Sequence, residues 1–335
     1  MVRFNPKARL DTSRMTEAGG GGGGGGRMGG GGGLGGSGIG LPHIGGGLGV
    51  VVAIVWILIQ VLGNGGGGGV VNTSLSSHGT TVKAAGGYSA DYAQCKTGAD
   101  ANSSIPCALV AVENSLYDYW SQQPSLAQRL SAAGTRFKPE NALVTFEGSV
   151  STGGCGTATT DVGPFYCSGD GNIYLDEDFY TTVGQQLGID PTGFVRAYVI
   201  AHEYGHHIQD LLGTINQVRT QKGPDSDSVR LELQADCYAG MWSNAASSTK
   251  DSAGVNIFDE ISQQDISEAI KAAGEVGDDY IQKRVGNGVD QSQFTHGSSA
   301  QREAWFQAGY RDSSGDLGAC DTFDASNLDD PGTAH

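Results

Sequence analysis

The sequence predicts an α+β fold, a mainly helical domain with a small edge sheet, preceded by a single transmembrane helix. Three observations support this. Apolar residues recur at helical spacing in residues 107–121 and again in a long run after residue 190. Short segments at 141–150 and 171–179 have the composition of strands. A segment of 20 residues near the N terminus carries no charge, which is about the length that a membrane-spanning helix needs.

Glycine tracts divide the chain into parts that cannot fold and one part that can. Glycine accounts for 56 of the 335 residues and is concentrated in residues 19–49 and 65–69. Such tracts lose much backbone entropy on ordering and bury no apolar surface. The expected divisions are a Gly-rich disordered segment at 1–43, a transmembrane helix at 44–63, a Gly-rich linker at 64–87, one globular domain at 88–322 and a disordered tail at 323–335.

The net charge of the chain is −16. An acidic body disfavours nucleic acid as a partner, because binding there requires Lys and Arg to neutralise phosphates. Acidity of this kind indicates solubility and identifies no substrate. We therefore expect no nucleic-acid binding.

The uncharged segment 44–63 is interpreted as a retained membrane anchor. Its strictly apolar centre, Val50 to Ile59, is short enough for the core of a signal peptide. However, the segment begins more than 40 residues into the chain and glycine follows it. Basic residues precede it, so the positive-inside rule places the N terminus in the cytoplasm. We therefore expect a single-pass protein of the cell membrane with an extracytoplasmic domain.

The six cysteines all follow the predicted anchor, which indicates disulfides in an exported domain. Six cysteines allow 15 pairings, and the sequence alone does not choose between them. A cysteine-ligated zinc site is disfavoured because no CxxC spacing is present. The simplest pairing, local first and then by elimination, is Cys95–Cys107, Cys155–Cys167 and Cys237–Cys320.

The segment "AHEYGHHIQD", residues 201–210, contains an HExxH motif on the long predicted helix. His202 and His206 are about 400° apart around a helix, so their rings lie within about 40° of each other and can bind one Zn²⁺. Glu203 lies beside the metal, where it can accept a proton from the attacking water. The motif also occurs by chance in solvated helices, but the apolar residues before it indicate a buried helix, whose histidines need partners. Gly205 leaves room for a neighbouring helix.

The third ligand is expected on a following helix. The extended motif HExxHxxGxxH is absent, because Gln209 and Leu212 replace its glycine and third histidine. The segment "ELQAD" instead offers Glu232, which completes a His₂Glu site with a fourth position open. Asp236, one turn later, can reach the outer nitrogen of a ligating histidine. A solvated acidic face is the alternative, and the apolar neighbours argue against it.

The remaining polar residues near the motif receive weaker assignments. His207 is about 140° from His202 around the helix, so a supporting or packing role is favoured over ligation. Asp210 either braces His206 or is solvated. His296 lies in a glycine-flanked loop before a helix and is the candidate donor to the developing oxyanion, with an ordinary surface histidine as the alternative.

Four ordered segments, "GPFYCSGDGNIYLD", "YVIAHEYGHHIQDLLG", "RLELQADCYAGMW" and "FTHGSSAQREAWFQAG", resemble the bacterial neutral zinc metallopeptidase family. Members of that family are membrane-anchored and have a glycine-rich N terminus. The resemblance covers most of residues 90–310 and implies a zincin-like fold. It also implies roles for single residues, namely zinc ligation by His202, His206 and Glu232, proton transfer by Glu203 and support of the first histidine by Asp236.

These observations together predict a zinc-dependent endopeptidase that acts on peptide or protein substrates at the cell surface. The strand near 171–176 is expected to lie along the cleft and to pair with an extended peptide. Two alternatives remain, a zinc-binding cell-surface protein without proteolytic activity and a cell-wall amide hydrolase. A chain that binds no metal at all is the least favoured interpretation.

Overall fold

A computed structural model describes residues 2–18, 51–53, 92–176, 179, 192–284, 286 and 288–334. It confirms the predicted α+β fold, and the described helices outweigh the strands. They include the helix expected at 107–121, the long helix expected after residue 190 and the following helix that carries Glu232, together with others that the sequence analysis did not name. In chain order the α-helices are α1 (Gly98–Ala101), α2 (Ile105–Ser121), α3 (Pro124–Ala132), α4 (Gly193–Leu211), α5 (Asp227–Ala245), α6 (Gln263–Glu275), α7 (Asp278–Arg284) and α8 (Ser299–Arg311).

The described strands form one five-stranded sheet and two small two-stranded ones. The large sheet has the order β2-β4-β8-β7-β3, in which β4 is parallel to both its neighbours and β7 is antiparallel to both of its own. Helix α4 packs against β7 and β8 of this sheet. The strands are β1 (Arg3–Phe4), β2 (Met15–Glu17), β3 (Val51–Ala53), β4 (Ala142–Phe146), β5 (Ser149–Ser151), β6 (Thr157–Thr159), β7 (Phe165–Cys167), β8 (Asn172–Asp176) and β9 (Phe258–Glu260).

Helices α4 and α5 differ from the sequence-based expectation at their ends. The apolar spacing after residue 190 continues to about residue 221, but α4 ends at Leu211, because Gly213 adopts a φ of 75° and turns the chain away. α5 begins after Ser226, whose side chain accepts a hydrogen bond from the backbone N–H of Val229. Ser228, which a start of this helix at Val229 would make the capping residue, lies inside the helix instead.

Glycines allow α4, α5 and α8 to approach one another closely. A methyl group on Gly205 of α4 would come within 3.0 Å of Ala235 Cα on α5, so the predicted close approach at this glycine is confirmed. A methyl group on Gly240 of α5 would overlap the carbonyl oxygen of Phe306 on α8. The three helices that hold the polar core residues are therefore fixed at short range.

Residues 2–18 belong to the folded domain, so the prediction that 1–43 is disordered is wrong for this segment. β1 pairs with β9, and β2 extends the large sheet beside β4. The side chains of Phe4, Ala8 and Met15 are buried. The globular part therefore does not begin near residue 88. Glycine content identified the tract from residue 19, but it gave no signal that the segment before the tract packs its few apolar side chains on the domain.

The predicted transmembrane helix 44–63 falls almost wholly outside the described residues. The exception is Val51–Ala53, which forms an edge strand antiparallel to β7 and not a helix. Among the residues that the structure describes, no helix combines the length and apolar character needed to cross a membrane. The predicted linker 64–87 also lies outside the described residues.

The three predicted disulfides are present as Cys95–Cys107, Cys155–Cys167 and Cys237–Cys320. The last of these links α5 to the C-terminal region. The tail from residue 323 is not disordered as predicted, because Ala325 and Leu328 are buried and the carbonyl of Leu328 accepts a hydrogen bond from Trp305 Nε1 at 2.8 Å. A few apolar residues in a polar segment are enough to dock it.

Candidate metal centre

Three side chains from two neighbouring helices converge in the core. His202 and His206 lie one turn apart on α4, and Glu232 lies on α5. The two Nε2 atoms are 3.2 Å apart, and Glu232 places one oxygen 3.1 Å from His202 Nε2 and the other 3.5 Å from His206 Nε2. One ligand atom from each residue lies within 4.8 Å of the others, and all three residues are buried. The predicted ligand set is thus brought together.

The spacing and chemistry of these atoms fit a zinc ion. Two nitrogens that are each about 2.0–2.1 Å from a tetrahedral Zn²⁺ lie about 3.3 Å from each other. The two Nε2 atoms are 3.2 Å apart. Two imidazoles and a carboxylate are the protein donors of one kind of catalytic zinc site, which keeps its fourth position open. A cation among them would also offset the cost of burying the Glu232 carboxylate.

The outer nitrogen of each histidine contacts a fixed acceptor. His202 Nδ1 lies 2.8 Å from Asp236 Oδ1, as the sequence predicts for Asp236. His206 Nδ1 lies 2.7 Å from Oε1 of Gln209. An acceptor at Nδ1 holds the proton there and leaves the Nε2 lone pair free for a metal. Both histidines are therefore set in the tautomer that ligation requires.

Asp236 is held by a buried arginine that the sequence reasoning missed. Arg302 on α8 donates from Nε to Asp236 Oδ2 at 2.8 Å and from Nη2 to Oδ1 at 3.0 Å. The hydroxyl of Tyr198 donates to the same Oδ1 at 2.6 Å. Burial raises the pKa of Asp236, but Arg302 and His202 lower it by more. The net pKa of Asp236 therefore lies below its ordinary value. An arginine among apolar residues in "AQREAWF" was the available signal.

Glu232 remains ionised through its surroundings. Burial raises its pKa, but its interactions with His206, His296 and His202 lower it to about 2. A carboxylate with a depressed pKa binds a metal without first losing a proton.

The carboxyl group of Glu203 is buried close enough to His202 and Glu232 for their charges to act on it. Neither of its carboxylate oxygens has a partner within hydrogen-bond geometry among the described residues, although both are buried. Burial raises the pKa of Glu203 to about 8, with opposite contributions from His202 and Glu232. A buried, unpaired carboxyl group next to the ligands can exchange a proton with a molecule that enters the site.

His296 lies near the ligand cluster, close enough for its charge to interact with that of Glu232. Its ring is nearly buried, and Nδ1 is 2.9 Å from Thr295 Oγ1 and 3.5 Å from Asp278 Oδ1. Burial lowers the pKa of His296, but Glu232 and Asp278 raise it, and the net shift is upward. A raised pKa favours an imidazole that can donate from both nitrogens. The alternative of an ordinary surface histidine is excluded.

The other residues of "AHEYGHHIQD" have structural partners away from the ligands. His207 is buried and contacts the Lys138 carbonyl at 2.8 Å through Nε2, which confirms a packing role. Asp210 neither braces His206 nor is fully solvated, because its carboxylate accepts a hydrogen bond from Tyr166 Oη at 2.8 Å. The residue that braces His206 is Gln209, which sequence reasoning had used only to exclude a longer zinc motif.

The strand predicted to lie at the edge of the cleft occupies a different place. β8 is paired on both sides, with β4 and β7, so it has no free edge for a peptide. β7 is the strand beyond it, and its Tyr166 packs against His207 on α4. β3 pairs with the outer side of β7. The expectation for residues 171–176 is therefore wrong, since alternation identifies a strand but not its position in a sheet.

The chain matches a family model described as "Putative neutral zinc metallopeptidase" over residues 8–323. It is 44% identical over 240 residues to an uncharacterized protein of Mycobacterium tuberculosis, which covers 71% of this chain and 77% of that protein. It is 40% identical over 215 residues to the uncharacterized protein YpfJ of Escherichia coli, which covers 62% of this chain and 68% of the relative. A search of solved structures finds no match. The chain therefore belongs to this neutral zinc metallopeptidase family.

Proposed function

We propose that the protein is a zinc-dependent endopeptidase that hydrolyses peptide bonds in peptide or protein substrates. The observation that carries this proposal is the convergence of His202, His206 and Glu232 beside the unpaired carboxyl group of Glu203. Membership of the metallopeptidase family supports hydrolysis as the reaction class. His202, His206 and Glu232 would hold the ion.

When bound, Zn²⁺ supplies Lewis acidity that polarises a substrate carbonyl and lowers the pKa of water. Glu203 takes a proton from the attacking water and passes it to the leaving amine. Neither of its oxygens accepts a hydrogen bond of normal geometry among the described residues, although the backbone of Tyr166 is near enough to lower its pKa. His296 donates a hydrogen bond to the oxyanion that develops on the substrate, and Asp278 and Thr295 orient its ring through Nδ1.

The supporting residues keep the ligands in place while this happens. Asp236 and Gln209 hold the protons on the Nδ1 atoms of the two histidines. Arg302 neutralises Asp236, so the buried carboxylate does not draw a proton or a second cation. This division leaves Glu203 as the one carboxyl group of the cluster that is free to move a proton.

The catalytic domain is proposed to lie outside the cytoplasm. Its three disulfides join residues 12, 12 and 83 positions apart, and such bonds persist in oxidising compartments. A substrate in that compartment would be an exported or surface protein.

The test compares the purified full chain with Glu203→Gln. Both proteins should contain about one zinc per chain, and only the wild type should degrade an unstructured protein such as reduced casein. Glutamine keeps the size of the side chain but cannot accept the proton, so the rate should fall by about 10²–10⁴-fold. Equal degradation by the two proteins would refute the proposed role of Glu203.

The same preparation separates the two alternatives. A zinc-loaded wild type that cleaves no member of a peptide library would favour a cell-surface protein without proteolytic activity. Hydrolysis of peptidoglycan fragments in the absence of peptide cleavage would favour a cell-wall amide hydrolase.

A further inference from the structure

The N-terminal segment, residues 2–18, is joined to the catalytic domain through elements far apart in sequence. The backbone N–H of Arg9 donates to Asp251 at 2.7 Å, and that of Asp11 donates to Asn114 Oδ1 at 2.7 Å. The backbone N–H of Ala18 donates to the Thr145 carbonyl at 2.8 Å. These contacts hold the whole segment against the domain, and its apolar side chains are buried there.

Arg14 of this segment completes a cluster of buried charges behind α4. Its guanidinium contacts Glu113 on α2 with Nε–Oε1 2.6 Å and Nη2–Oε2 3.2 Å, and it lies over the ring of Tyr117 at 4.1 Å. Glu140 is also buried and lies close enough for its charge to interact with Arg14 and Glu113. Burial and the charge of Glu113 raise the pKa of Glu140 well above its ordinary value, so removing the arginine leaves Glu113 as a buried carboxylate without its counter-ion.

Tyr204 connects this cluster to the catalytic helix. It follows Glu203 on α4, and its ring is buried on the opposite side of the helix from the ligands. Burial and the negative charges of Glu140 and Glu113 raise the pKa of Tyr204 well above its ordinary value. The charges that Arg14 neutralises therefore border the helix that carries the metal ligands, and the docked segment is part of the domain that holds them.

We propose that residues 2–18 lie in the same compartment as the catalytic domain, and that the protein folds with this segment docked on the domain. The chain leaves the domain at Ala18, pairs with it again at Val51–Ala53 and returns to it at Tyr92, so each excursion crosses a membrane an even number of times. Each helical crossing needs about 20 apolar residues, so two crossings need two such runs. The sequence between residues 18 and 92 has one uncharged run of this length, residues 44–63. Docking of residues 2–18 and a single crossing by 44–63 therefore exclude each other in one molecule.

The compartment is tested by cysteine labelling of the full chain in intact cells. Lys7→Cys lies in an exposed part of the docked segment, and Lys271→Cys is a matched exposed position on α6. The native cysteines do not react, since the described residues include no free thiol. A membrane-impermeant maleimide should label both variants to the same extent before lysis, or neither until lysis. Labelling of one position before lysis and of the other only afterwards would overturn the proposal.

Docking itself is tested on the purified full chain. Met15→Cys changes a side chain that is 1% exposed and paired beside β4, whereas Lys7→Cys is exposed. The maleimide should react with position 15 at least about tenfold more slowly than with position 7, because reaction at position 15 requires local opening. Equal rates for the two positions would contradict a docked segment. Neither variant changes the residues proposed to act in catalysis, so the result is independent of the proposed function.

Discussion

The two sides of helix α4 carry buried clusters of similar charge but different chemistry. On the ligand side, α5 supplies two carboxylates and α8 supplies Arg302. On the opposite side, α2 and the segment before β4 supply two carboxyl groups, and the N-terminal segment supplies Arg14. The two carboxyl pairs are Glu232 with Asp236 and Glu113 with Glu140.

The difference between the clusters lies in which atoms remain available. On the opposite side, Arg14 meets Glu113 in a direct two-point contact, so the carboxylate that corresponds to Glu232 is already paired. On the ligand side, Arg302 engages Asp236 and leaves Glu232 facing two Nε2 atoms. Two buried carboxyl groups and an arginine can therefore serve either a structural or a catalytic role. The ligand side differs because it also contains His202 and His206, whose Nδ1 protons are held by acceptors.

The largest effect is expected on the ligand side. Glu232→Gln keeps the volume of the side chain but removes its charge. Loss of a residue that only supports a ligand lowers metal affinity by about 10–100-fold, and the loss of the Glu232 carboxylate should lower zinc affinity by more than that. Glu140→Gln is the matched change on the opposite side and should leave zinc affinity unchanged. Zinc titration against a competing chelator measures both, and an equal loss in the two variants would remove the distinction between the clusters.

Arg302→Met should destabilise the protein by about 3–5 kcal/mol, because Asp236 remains buried without its counter-ion. Arg302→Lys should recover little, since a single ammonium cannot reproduce the two-point contact. Arg311→Ala, an exposed arginine on the same helix, should change stability by no more than about 0.5 kcal/mol. Urea unfolding monitored by circular dichroism reports all three, and full stability of the Arg302→Met protein would contradict the account.

Arg14→Met should cost a similar amount, about 3–5 kcal/mol, for the same reason. The folded fraction should still bind zinc with unchanged affinity, because Arg14 contacts none of the ligands. Adding Glu113→Gln to this variant should restore part of the lost stability. A loss of zinc affinity in the folded Arg14→Met protein would show that the two sides of α4 are coupled. Lys7→Ala, from the same segment, serves as the control.

The smallest of these effects concerns the support of His206. Gln209→Ala should weaken zinc binding by about 10-fold, because His206 Nδ1 loses its acceptor. Asp210→Asn changes the neighbouring residue, for which the sequence left open whether it braces His206 or is solvated, and it should leave zinc binding unchanged. The chelator titration that ranks the two variants decides which residue braces the histidine.

The sequence predicted the parts of the site that depend on helical spacing. His202, Glu203 and His206 lie close together because they are on neighbouring turns of α4. Glu232 and Asp236 are likewise one turn apart on α5. The simplest pairing also predicted the disulfides, because short separations favour Cys95–Cys107 and Cys155–Cys167, and Cys237–Cys320 then follows by elimination.

The remaining features depend on contacts between distant elements. Arg302 reaches Asp236 across 66 residues, and Arg14 reaches Glu113 across 99. Periodicity carries no information on which helix faces which, so neither pairing was predicted. The docked N-terminal segment was missed because a glycine tract separates it from the domain. The end of α4 depends on the conformation of Gly213, which composition does not determine.

The ligand set itself is the central claim, and X-ray absorption at the zinc edge of the purified, zinc-loaded chain tests it most directly. The account predicts two histidine nitrogens and one carboxylate among the ligands at about 2.0–2.2 Å, with an oxygen ligand lost in Glu232→Gln and no sulfur ligand. A zinc shell that contains sulfur, or one that is unchanged in Glu232→Gln, would contradict it.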